Sequence, residues 1–272
     1  MGLTGLKVIV TRPEGQADKL VSAIEKAGGI AYHYPVLTIK PLDSDKEPEQ
    51  VQACKQLIMD LDNFQQVIFV STNAVRFGMQ WINNYWPQLP VAINWHAIGA
   101  STARELASAG VELSISTGST DSTAMNSEAL LQHSALQQLK GDKILIVRGV
   151  QGREFLKEQL TQRGARVSYA ECYRRGLPDH TSQTLNALLR KSIDVICINS
   201  AESLDNLSLL AGEKQQLSLQ HHRVLVPSQR VKALATQRGF KQVYLSENAS
   251  DEAMIRGLQL LAGTISENHS GR

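Results

Sequence analysis

Cysteine is scarce in this chain of 272 residues, which holds only Cys54, Cys172 and Cys197. Their number is odd, their spacing wide, and no CxxC occurs, which argues against a disulfide framework and against a zinc site. Such a set suits a reducing cytoplasm, and Cys197, inside an apolar strand pattern, reads as a core thiol. Aromatic residues make up 5 %, and no apolar run approaches membrane-spanning length. Net charge is +2, a balance that favours neither nucleic acid nor an anionic membrane surface. Any anion must therefore be met by locally placed donors. No charged stretch followed by an apolar core opens the chain, so no secretory leader is expected. Leu6 stands where a myristoylation signal wants serine or threonine. The histidines show no HExxH or other ligand spacing, so no metal site is expected. The nucleotide and hydrolase signatures are missing too. There is no GxGxxG and no GxSxG, and Gly149–Val150–Gln151–Gly152 lacks the Lys–Ser/Thr ending of a Walker loop.

What the chain does contain is repetition. Lys7–Val8–Ile9–Val10–Thr11–Arg12 is answered by Lys143–Ile144–Leu145–Ile146–Val147–Arg148. Leu20, Ile24 and Gly28 are answered by Leu156, Leu160 and Gly164. Val67–Ile68–Phe69–Val70–Ser71–Thr72–Asn73 pairs with Val195–Ile196–Cys197–Ile198–Asn199–Ser200–Ala201–Glu202, and Ala97–Ile98–Gly99–Ala100–Ser101 with Leu225–Val226–Pro227–Ser228–Gln229. A doubled unit predicts two similar domains with a cleft between them.

Short apolar runs predict strands at 6–11, 67–71, 95–98, 143–148, 166–172, 193–198, 223–226 and 242–245, with weaker ones at 30–34, 36–40 and 111–115. Amphipathic stretches between them predict helices at 16–26, 49–60, 101–109, 152–163 and 228–238. Alternating strands and helices favour parallel sheets covered on both faces. Two segments without turn residues, 34–38 and 170–174, read as connectors that form a two-stranded linker. The expected domains are 1–35 plus 173–265, and 36–172, with a disordered polar tail at 266–272.

In an open parallel sheet, ligands bind at the carboxyl ends of the strands. Those positions carry Arg12, then Ser71, Thr72 and Asn73, then Ser101 and Thr102, then Arg148 and Gly149, then Ser200 and Ala201, and finally Ser228. Hydroxyls, amides and glycines beside helix N-termini bind carboxylates or phosphates through main-chain N–H groups, without many lysines. Serine, threonine and asparagine are equally the preferred helix caps of any protein. Arg12 and Arg148 occupy equivalent places and could aim a planar fork at a carboxylate, or form ordinary salt bridges. Tyr173 lies on the second connector, where its phenol could donate a proton, or could simply pack.

The order and spacing of several of these segments resemble uroporphyrinogen-III synthase. They are Thr11–Arg12–Pro13, Phe69–Val70–Ser71–Thr72–Asn73–Ala74–Val75, Ala97–Ile98–Gly99–Ala100–Ser101–Thr102–Ala103, Ile146–Val147–Arg148–Gly149, Tyr173–Arg174 and Asn199–Ser200–Ala201–Glu202–Ser203. The resemblance runs from about residue 6 to 260. It implies two flavodoxin-like α/β domains, the product of internal duplication, joined by a two-stranded linker. It also implies a reaction. Linear hydroxymethylbilane loses its hydroxyl to give an azafulvene, the last ring attacks to form a spiro-pyrrolenine, and reclosure with that ring inverted yields uroporphyrinogen III on the way to haem.

By the same resemblance Tyr173 matches the tyrosine proposed to assist hydroxyl departure, and Ser71, Asn73, Thr102, Ser200 and Ser228 match positions that contact the macrocycle. No cofactor or metal is implied. The partner is a small-molecule substrate, a linear tetrapyrrole polycarboxylate. A transient contact with the preceding enzyme of the route is compatible with this; nucleic acid and membrane are not expected. The implied protein is a cytoplasmic monomer. At Pro227–Ser228–Gln229–Arg230–Val231 the chain departs from the family's glycine and threonine, so backbone N–H groups would serve there. The alternative function is a two-lobed binding protein for a small anionic ligand. A receiver-like regulator would need a phosphorylatable aspartate where Thr11, Ser71 and Ser200 stand.

Overall fold

The computed structural model describes residues 2–114, 127–179 and 182–270. In chain order its elements are β1 (Lys7–Val10), α1 (Asp18–Lys26), β2 (Ile30–His33), β3 (Thr38–Pro41), α2 (Pro48–Met59), β4 (Gln66–Phe69), α3 (Thr72–Tyr85), β5 (Asn94–Ala97), α4 (Ala100–Ser108) and α5 (Ser127–Leu131). Then follow β6 (Lys143–Gly149), α6 (Phe155–Gln162), β7 (Arg166–Gly176), α7 (Ser182–Leu189), β8 (Val195–Cys197), α8 (Ala201–Ala211), α9 (Glu213–Leu219), β9 (Arg223–Val226), α10 (Gln229–Gln237), β10 (Gln242–Leu245) and α11 (Asp251–Ser270).

The chain forms two compact units, Met1–Ile39 with Gly176–Arg272, and Lys40–Arg175. The division falls after Ile39 and Arg175, where the sequence pointed to Pro35 and Cys172. Two local attachments account for the difference. Tyr34 and Val36 still donate their N–H groups to Val10 O (2.9 Å) and Thr11 O (3.3 Å), and Val36 packs with Ile9 and Ile196 in the first core. On the return, β7 runs on beside β6 as far as the pairing of Gly149 with Tyr173.

The first unit holds a sheet of order β10-β9-β8-β1-β2. Its strands pair in parallel, and within the unit the order reads 2-1-3-4-5, a doubly wound arrangement. Short runs such as Lys7–Val10 and Arg223–Val226 are apolar on both faces because helices cover both faces. Alternate residues divide between two cores. Ile9, Ile196, Val224 and Val226 meet Leu204 and Leu207 of α8 and Val231 of α10. Val8, Val10, Val195 and Leu225 meet Leu20 and Ile24 of α1 and Met254 and Leu258 of α11. α1 ends because Gly28 adopts φ 89°, and the N–H of Gly29 closes the helix on Ile24 O at 3.0 Å. Gly164 ends α6 in the same way at φ 92°, with Ala165 N–H donating to Leu160 O at 3.2 Å. Leu156 and Leu160 are buried on α6, whereas Phe155, which shares its pattern, is exposed.

The second unit holds a sheet of order β3-β7-β6-β4-β5. β6 pairs in parallel with both β7 and β4, and β4 with β5. The expected strand at 111–115 does not form over Val111–Ser114; residue 115 lies outside the described residues. Ser114 ties that segment to β5 by accepting the Trp95 N–H on its hydroxyl and donating its own N–H to Trp95 O, both at 3.1 Å. The tail also differs from expectation. α11 continues to Ser270, since no glycine or proline interrupts Thr264–Ser270; residues 271–272 lie outside the described residues.

One buried titratable group sits in this sheet. His96 on β5 has its Nε2 2.6 Å from Gln66 Oε1, while its buried Nδ1 has no hydrogen-bond partner among the described residues. Burial first, then the charge of His133, pushes its pKa from 6.5 down to about 4. Below pH 6.5 the unfolded chain binds a proton that the folded one refuses, so stability is lost as pH falls from about 6.5 to about 4. The depression corresponds to about 3 kcal/mol. Urea unfolding at pH 7 and pH 4.5 is expected to show this loss in the wild type, and a smaller one in His96→Gln.

Candidate active site

In the second unit, the site grows from the way α3 leaves β4. Ser71 is extended at φ −166° and ψ 165°, and its Oγ accepts the Ala74 N–H at 3.1 Å, so it caps the helix. α3 then lies close on the sheet because Gly78 has no side chain. A Cβ there would stand 2.5 Å from Val147 Cγ1 on β6 and 3.0 Å from Phe69 Cε1 on β4. β6 ends in a register shift between Arg148 and Gly149, which brings Gly149 opposite Tyr173 of β7. The Val150 N–H donates to Tyr173 O at 2.8 Å. The Tyr173 ring lies over Gly149, where a Cβ would meet its Cε2 at 2.7 Å and its Cζ at 2.9 Å. Phe77 of α3 stacks on the ring with centroids 5.2 Å apart and planes at 25°. The Tyr173 hydroxyl lies 3.1 Å from Ser71 Oγ, and the residue is 2 % exposed. Thus Ser71, Gly149 and Tyr173 do come together. Thr72 and Asn73 are half-buried at the first and second positions of α3.

Arg148 does not join them. It is 3 % exposed, and its guanidinium lies 4.1 Å over the Tyr169 ring. Its Nη1 donates to Glu154 Oε1 (3.1 Å) and Arg153 O (3.2 Å), and its Nε donates to Gly149 O (3.2 Å) and stands 3.6 Å from Glu171 Oε1. The loop wraps so closely that a Cβ on Gly152 would touch the guanidinium at 2.7 Å. Tyr169 donates to Glu154 Oε2 at 3.0 Å, and burial followed by that bond pushes its hydroxyl up to about 12. Of the two readings that the sequence leaves open for Arg148, a fork for a ligand carboxylate or a salt bridge, its guanidinium here faces the protein's own carboxylates.

The α4 entrance differs from its sequence reading as well. Gly99, at φ 89°, precedes α4 without a side-chain cap, and Thr102 is 3 % exposed while Ser101 is exposed. The third residue is buried in each of four helices that follow strands: Ala74, Thr102, Ser203 and Val231. Thr102 therefore occupies an inward position, and Val231 is its counterpart. Counted from the helix starts, Gly99 answers to Ser228 rather than to Pro227, one residue away from the sequence pairing.

In the first unit, Ser200 caps α8 by accepting the Ser203 N–H at 3.0 Å, with the two hydroxyls 2.9 Å apart. Ser228 caps α10 by accepting the Val231 N–H at 3.3 Å. Ala201, the first residue of α8, is half-buried. Arg12 is held internally like Arg148. It forms an ion pair with Asp251 and donates to Ala249 O at 2.7 Å. The Asn199 amide oxygen, turned toward the guanidinium, accepts from Nε at 2.7 Å and Nη2 at 3.3 Å.

The thiols supply no nucleophile. Cys54 and Cys172 are buried with sulfurs 3.5 Å apart, and that contact together with burial holds the Cys172 thiol above its ordinary range. Burial pushes Cys197 up to about 12. Among the described residues no cluster of metal-ligating side chains is gathered, and no helix is long and apolar enough to cross a membrane. Phe77 escaped the sequence reading, since nothing marks it apart from any core aromatic. Gly78 inside a helical pattern was the available signal of close approach. Because the Tyr173 ring face cannot yield to a new methyl, Gly149→Ala is expected to cost about 1–3 kcal/mol in denaturant unfolding while the fold is kept.

These features define a class: a two-unit α/β protein whose sheets are dominated by parallel pairing, with α3, α8 and α10 starting at serine-capped strand exits. Comparison with known proteins narrows it. The family model described as uroporphyrinogen-III synthase HemD matches residues 18–256. The uroporphyrinogen-III synthase of Salmonella typhimurium is 30 % identical over 258 residues, 93 % of this chain and 100 % of that protein. That of Escherichia coli is 29 % identical over 259 residues, with the same shares covered. The solved structure of uroporphyrinogen-III synthetase from Helicobacter pylori superposes with a TM-score of 0.59 at 14 % identity, over 96 % of this chain and 99 % of that one, a likeness of fold. The chain belongs to the uroporphyrinogen-III synthase family.

Proposed function

We propose that this protein cyclises hydroxymethylbilane to uroporphyrinogen III, with loss of water and inversion of the last ring, in haem biosynthesis. The observation that carries this reading is the family match over residues 18–256, which reaches into both units. The chemistry of the site supports it. The substrate is a polycarboxylate, and the strand exits of each unit offer helix N-termini entered through Ser71, Ser200 and Ser228. Helix N-termini carry N–H groups that the helix itself leaves unpaired, and a partial positive charge that favours carboxylates. In this reading Thr72, Asn73, Ala201 and the exposed Ser101 add main-chain or side-chain donors at the same edges. Arg12 and Arg148 act at one remove, by holding the strand-exit loops.

Tyr173 is the proton donor in this reading. The C–O bond of the hydroxymethyl group breaks as the pyrrole nitrogen pushes in its electron pair. The oxygen takes the phenol proton and leaves as water. The last ring, once it has reclosed, gives up the proton on its newly bonded carbon as it regains aromaticity, and that proton restores the phenol. The substrate is reactive by itself, so the protein's task is to fold it and to direct which carbon attacks.

The finer architecture belongs to this reading too. The units are two copies of one flavodoxin-like element, since β1–α1–β2 and β6–α6–β7 share order, parallel pairing and helix ending. The two-stranded linker is formed where the chain crosses, expected at 34–38 and 170–174 and close to the divisions after Ile39 and Arg175. A monomer that works in the cytoplasm with no cofactor or metal completes the proposal.

Freshly prepared hydroxymethylbilane, given to the purified protein and followed by resolution of the isomers, tests the activity. Product dominated by the type III isomer is expected; the symmetric type I isomer at the level found in buffer contradicts the reading. Tyr173→Phe is expected to lower kcat by about 100-fold with the fold retained. Wild-type turnover in that variant would exclude a role for the hydroxyl.

A further inference from the structure

The caps of α3, α8 and α10 all accept a main-chain N–H from the third helical residue, but one of them has a second partner with an acidic proton. Ser71 Oγ accepts the Ala74 N–H at 3.1 Å and at the same time stands 3.1 Å from the Tyr173 hydroxyl. A serine hydroxyl has one hydrogen and two lone pairs. With a lone pair committed to the α3 amide, its hydrogen is free to point at Tyr173 Oη. In that arrangement the phenol accepts from Ser71 and keeps its own hydrogen for another oxygen. Once that hydrogen has gone, the oxygen left behind still has a donor, which the start of α3 orients. The ring itself has little freedom. Gly149 lies under it, Phe77 is stacked on it at 5.2 Å, and its backbone is tied to Val150 at 2.8 Å.

We propose that Ser71 is a positioning residue for the reaction, acting through the hydroxyl of Tyr173 rather than on the substrate. The sequence placed Ser71 among the substrate contacts; the hydrogen-bond geometry gives it this other task. The inference rests on the activity and the Tyr173 role proposed above. It makes the cap of α3 part of the acid's machinery, and it gives Gly149 the task of leaving room for a ring held at fixed height.

The test is a double-mutant cycle of Ser71→Ala and Tyr173→Phe, read by kcat, KM and unfolding midpoint. Ser71→Ala is expected to lower kcat about tenfold in the wild-type background with KM changed less than about twofold, and to change kcat less than about twofold in Tyr173→Phe. The loss of the cap lowers the unfolding midpoint in both backgrounds, so a merely structural role would slow both alike. Equal slowing in the two backgrounds, or an unchanged kcat in Ser71→Ala, overturns the proposal. Ser71→Thr, which keeps both cap and hydroxyl, is expected to recover most of the rate; failure to exceed Ser71→Ala also counts against it. A measurement independent of turnover separates this inference from the functional reading. In protein carrying tyrosine labelled with carbon-13 at the hydroxyl-bearing carbon, the Tyr173 signal, assigned by its loss in Tyr173→Phe, should move in Ser71→Ala. A stationary signal overturns the inference even if the wild type makes the type III isomer.

Discussion

Parallel pairing imposes a direction on each unit. When neighbouring strands run the same way, every strand must deliver the chain to the same edge of its sheet, and each helix that follows must begin there. The inner strands β1 and β6 are buried on both faces, through Val8 and Ile9 in one unit and through Leu145 and Ile146 in the other. Within each unit, helix N-termini therefore gather at one sheet edge, with N–H groups that a helix cannot bond within itself and a partial positive charge. The chain needs no excess of lysine or arginine to meet an anion, which agrees with a net charge of only +2.

The arginines serve that edge differently from what their position in the repeat suggests. Arg12 is clasped by the start of α11 and by Asn199, and Arg148 by Glu154 and the loop that follows β6. A guanidinium left without partners in so enclosed a place would be costly, and the protein supplies acceptors from its own loops. Each arginine thereby fixes the chain just past a strand. The second unit adds a feature of its own. Two glycines on different elements, Gly78 against Val147 and Gly149 against Tyr173, let a helix and an aromatic ring approach β6 closely enough for two hydroxyls to meet.

Much of this could be read from the residues, because the apolar runs and the closing glycines are local signals. β1, β6, β9 and the ends of α1 and α6 follow directly from them. The chain crosses a few residues later than its sequence suggests, because Val36 looks like a connector in sequence and becomes core only when β1 and β8 are beside it. The missing strand after Gly110 and the helical tail show the same limit: an apolar alternation or a polar run does not say which neighbour is present. The site was legible in part. Serine caps carry a local signature, and Ser71, Ser200 and Ser228 have that role. Thr102 and Arg148 looked equally suitable, but their side chains turn inward, a matter of helix phase and loop wrapping that spacing alone does not fix.

The central claim is that main-chain N–H groups at the strand exits hold the carboxylates of the tetrapyrrole. It is tested most directly by titrating nitrogen-15-labelled protein with uroporphyrin III, the oxidised octa-acid form of the product, and following amide signals. The account predicts that the largest shifts fall on the first turns of α3, α8 and α10, around Thr72, Ala201 and Gln229. Shifts confined to other surfaces, with those first turns unmoved at saturation, would contradict it.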